Sequence, residues 1–484
     1  MLNLDIANCL SSRVGSHGLP DDAIRPDSAN GKRAADLTKK LAQTRGTGWE
    51  RWRELPVNPL RTDHVKPIQK WVAAHKGKFD NMIVLGIGGS ALGNIALQSA
   101  LNTHTWNLLP KDKRNGCPRM FVVDNVDPVY FGAVLQFVLA DDPTLERTLF
   151  NVVSKSGETA ETAAQFMTIR QLLIDRLGEK DHAKHIVAIT DPAKGTMRKI
   201  CDANGYTTFP VPDGVGGRFS VLSPVGLFSA AMCGIDIEAL LDGAAEMDAK
   251  CTNESIDKNP AALLATVLVE LGAKGKVNHV MMPYANQLYL MADWFRQLWA
   301  ESLGKQHSAD GKREVFAGFT PIKALGTTDQ HSQVQLYREG PNDKVFGFLE
   351  VENFSDGHGN NTIDLEIPKG LGVDALSYLE GASFHTLLNA EKRATEYAFL
   401  ESQRPNFTIR FPKTDARHIG QFIALWEIVT AYAGLMLGID AYDQPAVETG
   451  KLATFGLMGR EGYGEWKDKV ESALGQSCRE PCCH

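Results

Sequence analysis

The stretch "TLFNVVSKSGETAETAAQFMTIRQLL", residues 148–173, places a strand, a hydroxyl-rich turn and a helix in direct succession. The segment 149–153, apolar except for Asn151, is typical of a buried strand, and the apolar spacing after residue 160 is typical of a helix. In an open parallel sheet, ligands bind beyond the carboxyl ends of the strands. This stretch therefore predicts an α/β fold and the edge of the sheet at which a functional site lies.

The turn inside this stretch, residues 154–162, carries four Ser or Thr residues in nine positions. A helix N-terminus offers free N–H groups and a partial positive charge, so it favours an anion. One hydroxyl there is most simply a helix cap. Four hydroxyls, with Gly157 allowing close backbone approach, predict a phosphate site. The residues expected to bind the phosphate are Ser154, Ser156, Thr159 and the adjacent Lys155.

Further strand–helix alternation surrounds this turn. The apolar segments "NMIVL" (81–85), "RMFVV" (119–123) and "HIVAIT" (185–190) predict strands of the same sheet, with helices between them. Such alternation implies a parallel sheet covered on both faces. A second unit of the same kind is predicted from "VNHVMMPY" (277–284) and "FTIRFP" (407–412).

The chain is therefore expected to contain two α/β units between two helical ends. The predicted N-terminal helical segment comprises residues 1–65. The first domain comprises 66–240 and the second 241–440. The C-terminal helical arm and tail comprise 441–484. The stretch "GWERWREL", residues 48–55, predicts no chemistry of its own.

Charge and composition exclude some classes of function. The 484 residues carry a net charge of −7, and a general nucleic-acid binder needs a basic face instead. No apolar run is expected to be long enough to span a bilayer, and the start lacks the pattern of a signal peptide. We therefore expect a cytoplasmic protein with no nucleic-acid or membrane partner.

Eight cysteines are scattered without a CxxC pair, which predicts reduced thiols in the cytoplasm. The tail "CREPCCH", residues 478–484, clusters three of them with His484. A chain end rarely supplies the order that a metal site needs. We expect an unstructured tail, with metal or redox chemistry as the alternative.

A glycine-rich turn, "GIGGSALG" at residues 86–93, follows the first predicted strand and opens a helix. It fits the dinucleotide fingerprint at Gly86, Gly88 and Ala91. Asp124 ends the next strand, where an acid could bind a ribose, so an NAD-dependent oxidoreductase is an alternative function. A second anion-binding turn, and Ser90 within this one, favour a sugar phosphate instead.

Two segments supply a cation and a carboxylate. "DGVGGRFSVLSPVG", residues 213–226, places Arg218 beside glycines that leave room for it to reach a cleft, where Arg can stabilise an oxyanion. "RQLWAESLGK", residues 296–305, places Gln297 and Glu301 on one helix face. Partial burial would suit Glu301 to act as a general base. The simpler alternatives are a surface Arg and a solvated Glu.

Two later segments supply further candidates. His331 lies among polar residues in "GTTDQHSQVQLYREG", residues 326–340, and can titrate near neutral pH. "AYDQPAVETGK", residues 441–451, contains Gln444 and ends at Lys451. Taken singly, such residues are more often a hydrogen-bonded loop His and a solvent-facing Lys.

Six of these motifs occur in the order found in the glucose-6-phosphate isomerase family. "GIGGSALG", "SKSGETAET", "DGVGGRFSVLSPVG", "QLWAESLGK", "GTTDQHSQ" and "YDQPAVETGK" resemble that family over about residues 80–451. Pro445 departs slightly from the usual form of the last motif. The length and the segment around His331 are more similar to bacterial members than to animal ones.

The resemblance implies two sugar-isomerase (SIS) domains and the reversible conversion of glucose 6-phosphate to fructose 6-phosphate in glycolysis and gluconeogenesis, without cofactor or metal. It implies that Glu301 moves the proton between C2 and C1, that Arg218 stabilises the enediolate, and that His331 and Lys451 open the ring. It implies a homodimer in which His331 reaches the partner's site. The implied substrate-binding residues are Gly89, Ser90, Ser154, Lys155, Ser156, Thr159, Gln297 and Gln444.

A non-catalytic sugar-phosphate sensor is the remaining alternative. Such a protein would keep the serine-rich turn, which binds the phosphate. It would not need Glu301, His331 and Lys451 together, so their joint presence favours an enzyme.

Overall fold

The computed structural model describes residues 1–357 and 365–475. The cysteine-containing tail, for which an unstructured segment or a metal site was considered, lies outside these residues. The five cysteines within them are free thiols.

The N-terminal segment contains a strand in addition to the helices that the sequence predicts. This short strand pairs antiparallel with a strand about 400 residues later, Asn3 lying opposite Arg410 and Asp5 opposite Thr408. The elements of this segment are β1 (Asn3–Asp5), α1 (Ser11–Val14), α2 (Ala29–Thr44) and α3 (Leu60–Ala74). Between α2 and α3 lies a 3-10 helix, Gly48–Glu54.

The first sheet is parallel throughout, in the order β3-β2-β4-β5-β6. Its elements are β2 (Asn81–Leu85), α4 (Leu92–Leu101), β3 (Arg119–Val123), α5 (Pro128–Asp141), β4 (Thr148–Val153), α6 (Ala160–Leu177), β5 (Ile186–Thr190), α7 (Thr196–Asn204) and β6 (Thr207–Pro210). Helices α5, α6 and α7 cover one face, and α3 and α4 cover the other.

Three helices connect this sheet to the second one: α8 (Pro224–Met232), α9 (Ile237–Lys250) and α10 (Pro260–Ala273). They belong to a hydrophobic core that is continuous from the first sheet to the second. The functional residues of the two halves are therefore held by one packed interior.

The second sheet has the order β1-β12-β11-β7-β10 and is parallel except for β1. Its region contains β7 (Asn278–Pro283), α11 (Tyr289–Leu303), β8 (Lys305–His307), β9 (Glu314–Ala317), β10 (Thr320–Lys323), α12 (Val334–Glu339), β11 (Lys344–Gly357), α13 (Phe384–Glu401), β12 (Asn406–Asp415) and α14 (Ala416–Leu437). Strands β8 and β9 form a separate antiparallel pair.

Helix α14 corrects the expectation that no apolar segment is long enough to cross a bilayer. It has 22 residues with a mean hydropathy of 1.4 over its most apolar window, and 94% of that window is buried within the protein. Its Gly420 faces the backbone of Leu240 on α9, where a Cβ would lie 1.8 Å from the carbonyl oxygen. The helix is apolar because it lies inside the hydrophobic core that joins the two sheets.

The chain continues into an arm with two helices, α15 (Glu448–Leu457) and α16 (Gly464–Leu474), which pack on each other. Both halves thus have the predicted architecture of parallel sheets flanked by helices, followed by a helical arm. The domain boundaries themselves stay a prediction.

Candidate active site

The candidate site lies at the carboxyl edge of the first sheet, where two neighbouring strands end. Strands β2 and β4 pair in parallel, with Leu85 opposite Val152. The turns that follow them therefore leave the sheet side by side. We call residues 86–91 the glycine turn and residues 154–159 the serine turn.

The serine turn is ordered by its own hydroxyls. The Ser154 Oγ accepts the Gly157 N–H at 3.1 Å, and the Ser156 Oγ accepts the Glu158 N–H at 3.1 Å. Thr159 precedes α6, but its side chain makes no capping bond. A hydroxyl that accepts an N–H still has its own proton to donate. The two serine hydroxyls therefore remain able to donate to a further acceptor.

Gly157 is required by the shape of this turn. Its φ of +78° lies in the left-handed region, and a Cβ there would be 2.4 Å from the backbone nitrogen of Met197. The turn is also tied to strand β5, because the Lys155 carbonyl accepts the Thr190 hydroxyl at 3.1 Å. The backbone around Lys155 is thus fixed, while its side chain is only partly buried.

The glycine turn touches a third turn, Gly217–Phe219, which carries Arg218. A Cβ on Gly89 would lie 2.2 Å from the carbonyl carbon of Gly217 and 2.7 Å from the Arg218 nitrogen. The lack of a side chain at Gly89 therefore lets the two turns meet. At Gly88, the second glycine of the dinucleotide fingerprint, a Cβ would lie 3.0 Å from the Gln297 Nε2. The protein's own side chain thus lies where a pyrophosphate would approach, which counts against a dinucleotide there.

Replacing Gly89 by Ala is expected to destabilise the protein by about 1–3 kcal/mol, because the new methyl group must push the two turns apart. The measurement is the thermal unfolding midpoint of the variant and the wild type. Gly132→Ala on α5 is the matched control, since a Cβ there meets nothing within 4 Å. Equal midpoints for Gly89→Ala and Gly132→Ala would contradict this account of the contact.

Arg218 is buried, with 4% of its surface exposed. Its Nε donates to the Ser302 hydroxyl at 2.7 Å, and its Nη1 lies 2.9 Å from the Gln444 Oε1 and 3.2 Å from the Glu301 Oε1. Its Nη2 donates to the carbonyls of Ala441 and Asp443, at 2.6 and 3.1 Å. The five N–H groups of the guanidinium thus meet five acceptors.

The charge of Arg218 is held in a poorly solvated place. Burial lowers the pKa of Arg218, and the carboxylates of Glu301 and Asp443 oppose that shift. A guanidinium remains charged in such surroundings. The site therefore contains a fixed positive charge that does not depend on pH near neutrality.

Glu301 and Gln297 lie one turn apart on α11, as the sequence predicted. The Gln297 Nε2 donates to the Glu301 Oε2 at 2.9 Å, while the other carboxylate oxygen faces Arg218. The Glu301 side chain keeps 28% of its surface exposed. A carboxylate held at both oxygens and still open on one side can take a proton from a bound molecule.

Lys305 and Ser302 were missed by the sequence analysis. The Lys305 Nζ donates to the carbonyls of Glu301 and Ser302, at 2.7 and 2.8 Å, at the end of α11. Burial and the nearby Arg218 charge lower the pKa of Lys305. A lysine just beyond a helix end is a recognised capping signal, so the spacing in "ESLGK" could have revealed it.

The C-terminal arm is anchored on both sides of the site. At its start, Gln444 contacts Arg218. Between α15 and α16, Arg460 forms an ion pair with Glu158 of the serine turn, at 3.3 Å. Lys451 lies on α15 between these anchors, exposed and paired with Glu448 at 2.6 Å. The arm therefore runs from the arginine to the serine turn, with Lys451 along it.

His331 stands apart from these residues. It ends a 3-10 helix, Thr328–His331, and its side chain is exposed. Across residues 1–357 and 365–475, no hydrogen bond or ion pair is found for this side chain. The structure thus brings Gly89, Arg218, Gln297, Glu301 and Gln444 together and does not bring His331 into contact with them.

Comparison with known proteins agrees with this arrangement. The model of the phosphoglucose isomerase family matches residues 62–458. The chain is 44% identical to the glucose-6-phosphate isomerase of Carboxydothermus hydrogenoformans over 411 residues, which cover 85% of this chain and 86% of that relative. It is also 44% identical to the enzyme of that name from Rubrobacter xylanophilus over 388 residues, or 79% and 83% of the two chains.

Two solved structures share the fold. A hypothetical protein from Thermus thermophilus superposes with a TM-score of 0.80 at 33% identity, covering 95% of this chain and 100% of the other. A glucose-6-phosphate isomerase from Chlamydia trachomatis superposes with a TM-score of 0.78 at 23% identity, covering 96% and 93%. With its two helix-flanked parallel sheets and a matching region that includes all six sequence motifs, this chain belongs to the phosphoglucose isomerase family.

Proposed function

We propose that the protein catalyses the reversible isomerisation of glucose 6-phosphate and fructose 6-phosphate through an enediol intermediate, in glycolysis and gluconeogenesis. The observation that carries the proposal is the pair formed by Glu301 and the buried Arg218. An aldose–ketose isomerisation needs one base that moves a proton between adjacent carbons, and a cation beside the enediolate. The pair supplies both groups at one place.

Glu301 is proposed to take the proton from C2 of the open-chain aldose and return it to C1. In the free site, the Glu301 carboxylate is paired with Arg218. When Glu301 accepts the proton it becomes neutral, and negative charge appears on the substrate oxygens at the same moment. Arg218 then exchanges its carboxylate partner for the enediolate, so the charge of the site is unchanged through the step. Such preorganised charge needs little reorganisation.

The serine turn is proposed to bind the phosphate group. Ser154, Ser156 and Thr159 would donate their hydroxyl protons to its oxygens, and Lys155 would supply a positive charge. The hydrogen bonds within the turn support this role because they fix the hydroxyls before the anion arrives. Ser90 and the backbone at Gly89 are proposed to extend this site along the glycine turn.

The remaining polar residues are proposed to orient and open the sugar. Gln297 and Gln444 already contact Glu301 and Arg218, so they can bind substrate hydroxyls beside the reacting carbons. Lys451 and His331 are proposed to open the cyclic sugar by acid–base catalysis. The role of Lys451 is supported by its place on an arm that contacts both Arg218 and Glu158.

His331 is proposed to act in the site of a partner subunit in a homodimer. Its exposure and its lack of contact with Glu301 in one chain support this arrangement.

We also propose a cytoplasmic protein whose two SIS-type domains comprise residues 66–240 and 241–440. The separate parallel sheets, within 81–210 and 278–415, support that division.

The test is a coupled assay with fructose 6-phosphate in excess EDTA. Glucose 6-phosphate formation is followed by its NADP-dependent dehydrogenase. NADPH formation that requires this protein and survives EDTA is the expected result. If folded protein forms no NADPH, the proposal is rejected, and binding calorimetry with the sugar phosphate would test the sensor alternative.

Mixing two inactive variants tests the shared site. In a mixed dimer of His331→Ala and Glu301→Gln, one site holds both wild-type residues, so random exchange of subunits should restore about a quarter of wild-type activity. Activity is measured after the two variants are mixed under conditions that allow exchange. Glu301→Gln mixed with Arg218→Lys is the control, because these residues belong to the same site and no mixed dimer regains it. If His331→Ala with Glu301→Gln regains no activity despite exchange, His331 does not cross the interface.

A further inference from the structure

The 3-10 helix Gly48–Glu54, here called the tryptophan helix, lies against two turns of the candidate site. The Gly48 carbonyl oxygen would be 2.2 Å from a Cβ on Gly214, so the helix meets the backbone just before the Arg218 turn. Trp52 stacks on Phe219, with ring centroids 5.1 Å apart. This segment, for which the sequence predicted no chemistry, is therefore part of the structure around the site.

The two tryptophans of this helix point in the same direction. In a 3-10 helix, side chains three residues apart lie above one another, so Trp49 and Trp52 share a face. Trp52 is 2% exposed, whereas Trp49 is 50% exposed. The Trp49 ring lies 5.3 Å from the Lys155 Nζ in the serine turn. One face of the helix thus contacts both turns.

The neighbouring side of the helix, which carries Glu50 and Arg53, is firmly held. The Arg53 Nη1 donates to the Leu41 carbonyl at 2.8 Å, and its Nη2 pairs with Asp248 at 3.3 Å. The buried Glu50 accepts the Thr44 hydroxyl at 2.7 Å. Because these contacts fix the helix, Trp49 is presented to Lys155 from a rigid support even though half of its own surface is open.

We infer that Trp49 is a positioning residue for phosphate binding, which it assists by holding the Lys155 ammonium over the serine turn. This inference rests on the proposed function, since it takes the serine turn as the phosphate site. The indole face attracts a cation and excludes water from one side of it. A lysine held in that way loses less side-chain freedom when a phosphate binds.

The chemistry fits a phosphate monoester dianion. The serine hydroxyls and the helix N-terminus bind its oxygens from one side, and the ammonium of Lys155 approaches from the side of Trp49. The phosphate is remote from the reacting carbons and keeps its charge throughout the reaction. Losing such an interaction weakens substrate and transition-state binding equally, so it raises KM and leaves kcat unchanged.

The first experiment measures KM and kcat for fructose 6-phosphate in Trp49→Ala, Lys155→Ala and the double variant. Trp49→Ala is expected to raise KM about fivefold with little change in kcat. In the Lys155→Ala background, the same change should raise KM less than about twofold, because interacting residues are not additive. Trp49→Phe, which keeps a weaker ring face, should give an intermediate KM.

Lys78→Ala is the matched control. Its ammonium also lies over a ring, 5.2 Å from the Phe79 centroid, but before strand β2 at the opposite edge of the sheet. Lys78→Ala should therefore leave KM for fructose 6-phosphate unchanged. The thermal midpoint of Trp49→Ala should stay close to that of the wild type, whereas a purely structural role would lower it and reduce kcat as well.

The second experiment does not depend on turnover. The chain has eight tryptophans, so the fluorescence difference between wild type and Trp49→Phe isolates one of them. Titration with inorganic phosphate is expected to give a saturable change in the wild type that is absent in Trp49→Phe. The same change in both proteins, or none in either, would overturn the inference.

These experiments distinguish a failure of the inference about Trp49 from a failure of the proposed function. A wild-type protein without isomerase activity rejects the function, and the fluorescence titration still decides the role of Trp49. An active wild type in which Trp49→Ala keeps its KM rejects the inference alone. The inference is also rejected if Trp49→Ala raises KM by the same factor in the wild type and in the Lys155→Ala background.

Discussion

Replacing Glu301 by Gln is expected to lower kcat by about 10²–10⁴-fold, because the amide cannot take a proton from carbon. The change is nearly isosteric. Gln297 can turn its own amide so that its oxygen accepts from the new side chain, which leaves an amide oxygen facing Arg218. The fold and substrate binding should therefore persist, and the loss should fall on the chemical step.

The measurement is kcat in the coupled assay, together with deuterium incorporation at C1 or C2 in heavy water. In Glu301→Gln, kcat and the rate of deuterium incorporation should decline together. Glu270→Gln is a close control, since Glu270 pairs with Arg33 at 3.4 Å and has 31% of its side chain exposed, against 3.2 Å and 28% for Glu301. Normal deuterium exchange in Glu301→Gln would show that another group is the base.

Replacing Arg218 by Lys is expected to impair both stability and catalysis. An ammonium has three N–H donors, and five acceptors surround the guanidinium, so at least two acceptors lose their partner. The loss costs about 1–3 kcal/mol where the acceptor is buried, as it is at Ser302 and Ala441. The carbonyls of Ala441 and Asp443 are among the five, so the start of the arm should loosen. We expect kcat to fall by about 10²–10³-fold, as for other groups that stabilise an oxyanion.

Thermal unfolding and steady-state kinetics check this prediction together. Arg33→Lys is the control, because Arg33 also pairs with a carboxylate but has 43% of its side chain exposed. Surface changes of that kind usually alter stability by less than about 0.5 kcal/mol. A kcat for Arg218→Lys close to that of the wild type would mean that only the charge matters and the forked geometry does not.

The parts of the site that follow from local chemistry could be predicted from the sequence. The serine turn is such a part, because an apolar strand, a glycine and a helix start are all visible within residues 148–173. The pairing of Gln297 with Glu301 follows from helical spacing. These inferences need no knowledge of distant contacts.

Other parts depend on groups that leave no trace in the residue pattern. Two acceptors of Arg218 are backbone carbonyls more than 220 residues away, and any residue type has a carbonyl. The tryptophan helix was predicted to have no chemistry because its neighbours, Lys155 and Phe219, are distant in sequence. Strand β1 was missed because three residues carry no periodic signal without their partner strand.

The pairing of β1 with β12 also has a consequence for synthesis. Asn3 lies opposite Arg410, and ribosomes add roughly 5–20 residues per second. The strand made first must therefore wait roughly 20–80 s for its neighbour. During that time its backbone groups are unpaired, and it can be captured by chaperones or cut by proteases. Protection of residues 3–5 in a nascent chain thus reports that translation has passed β12.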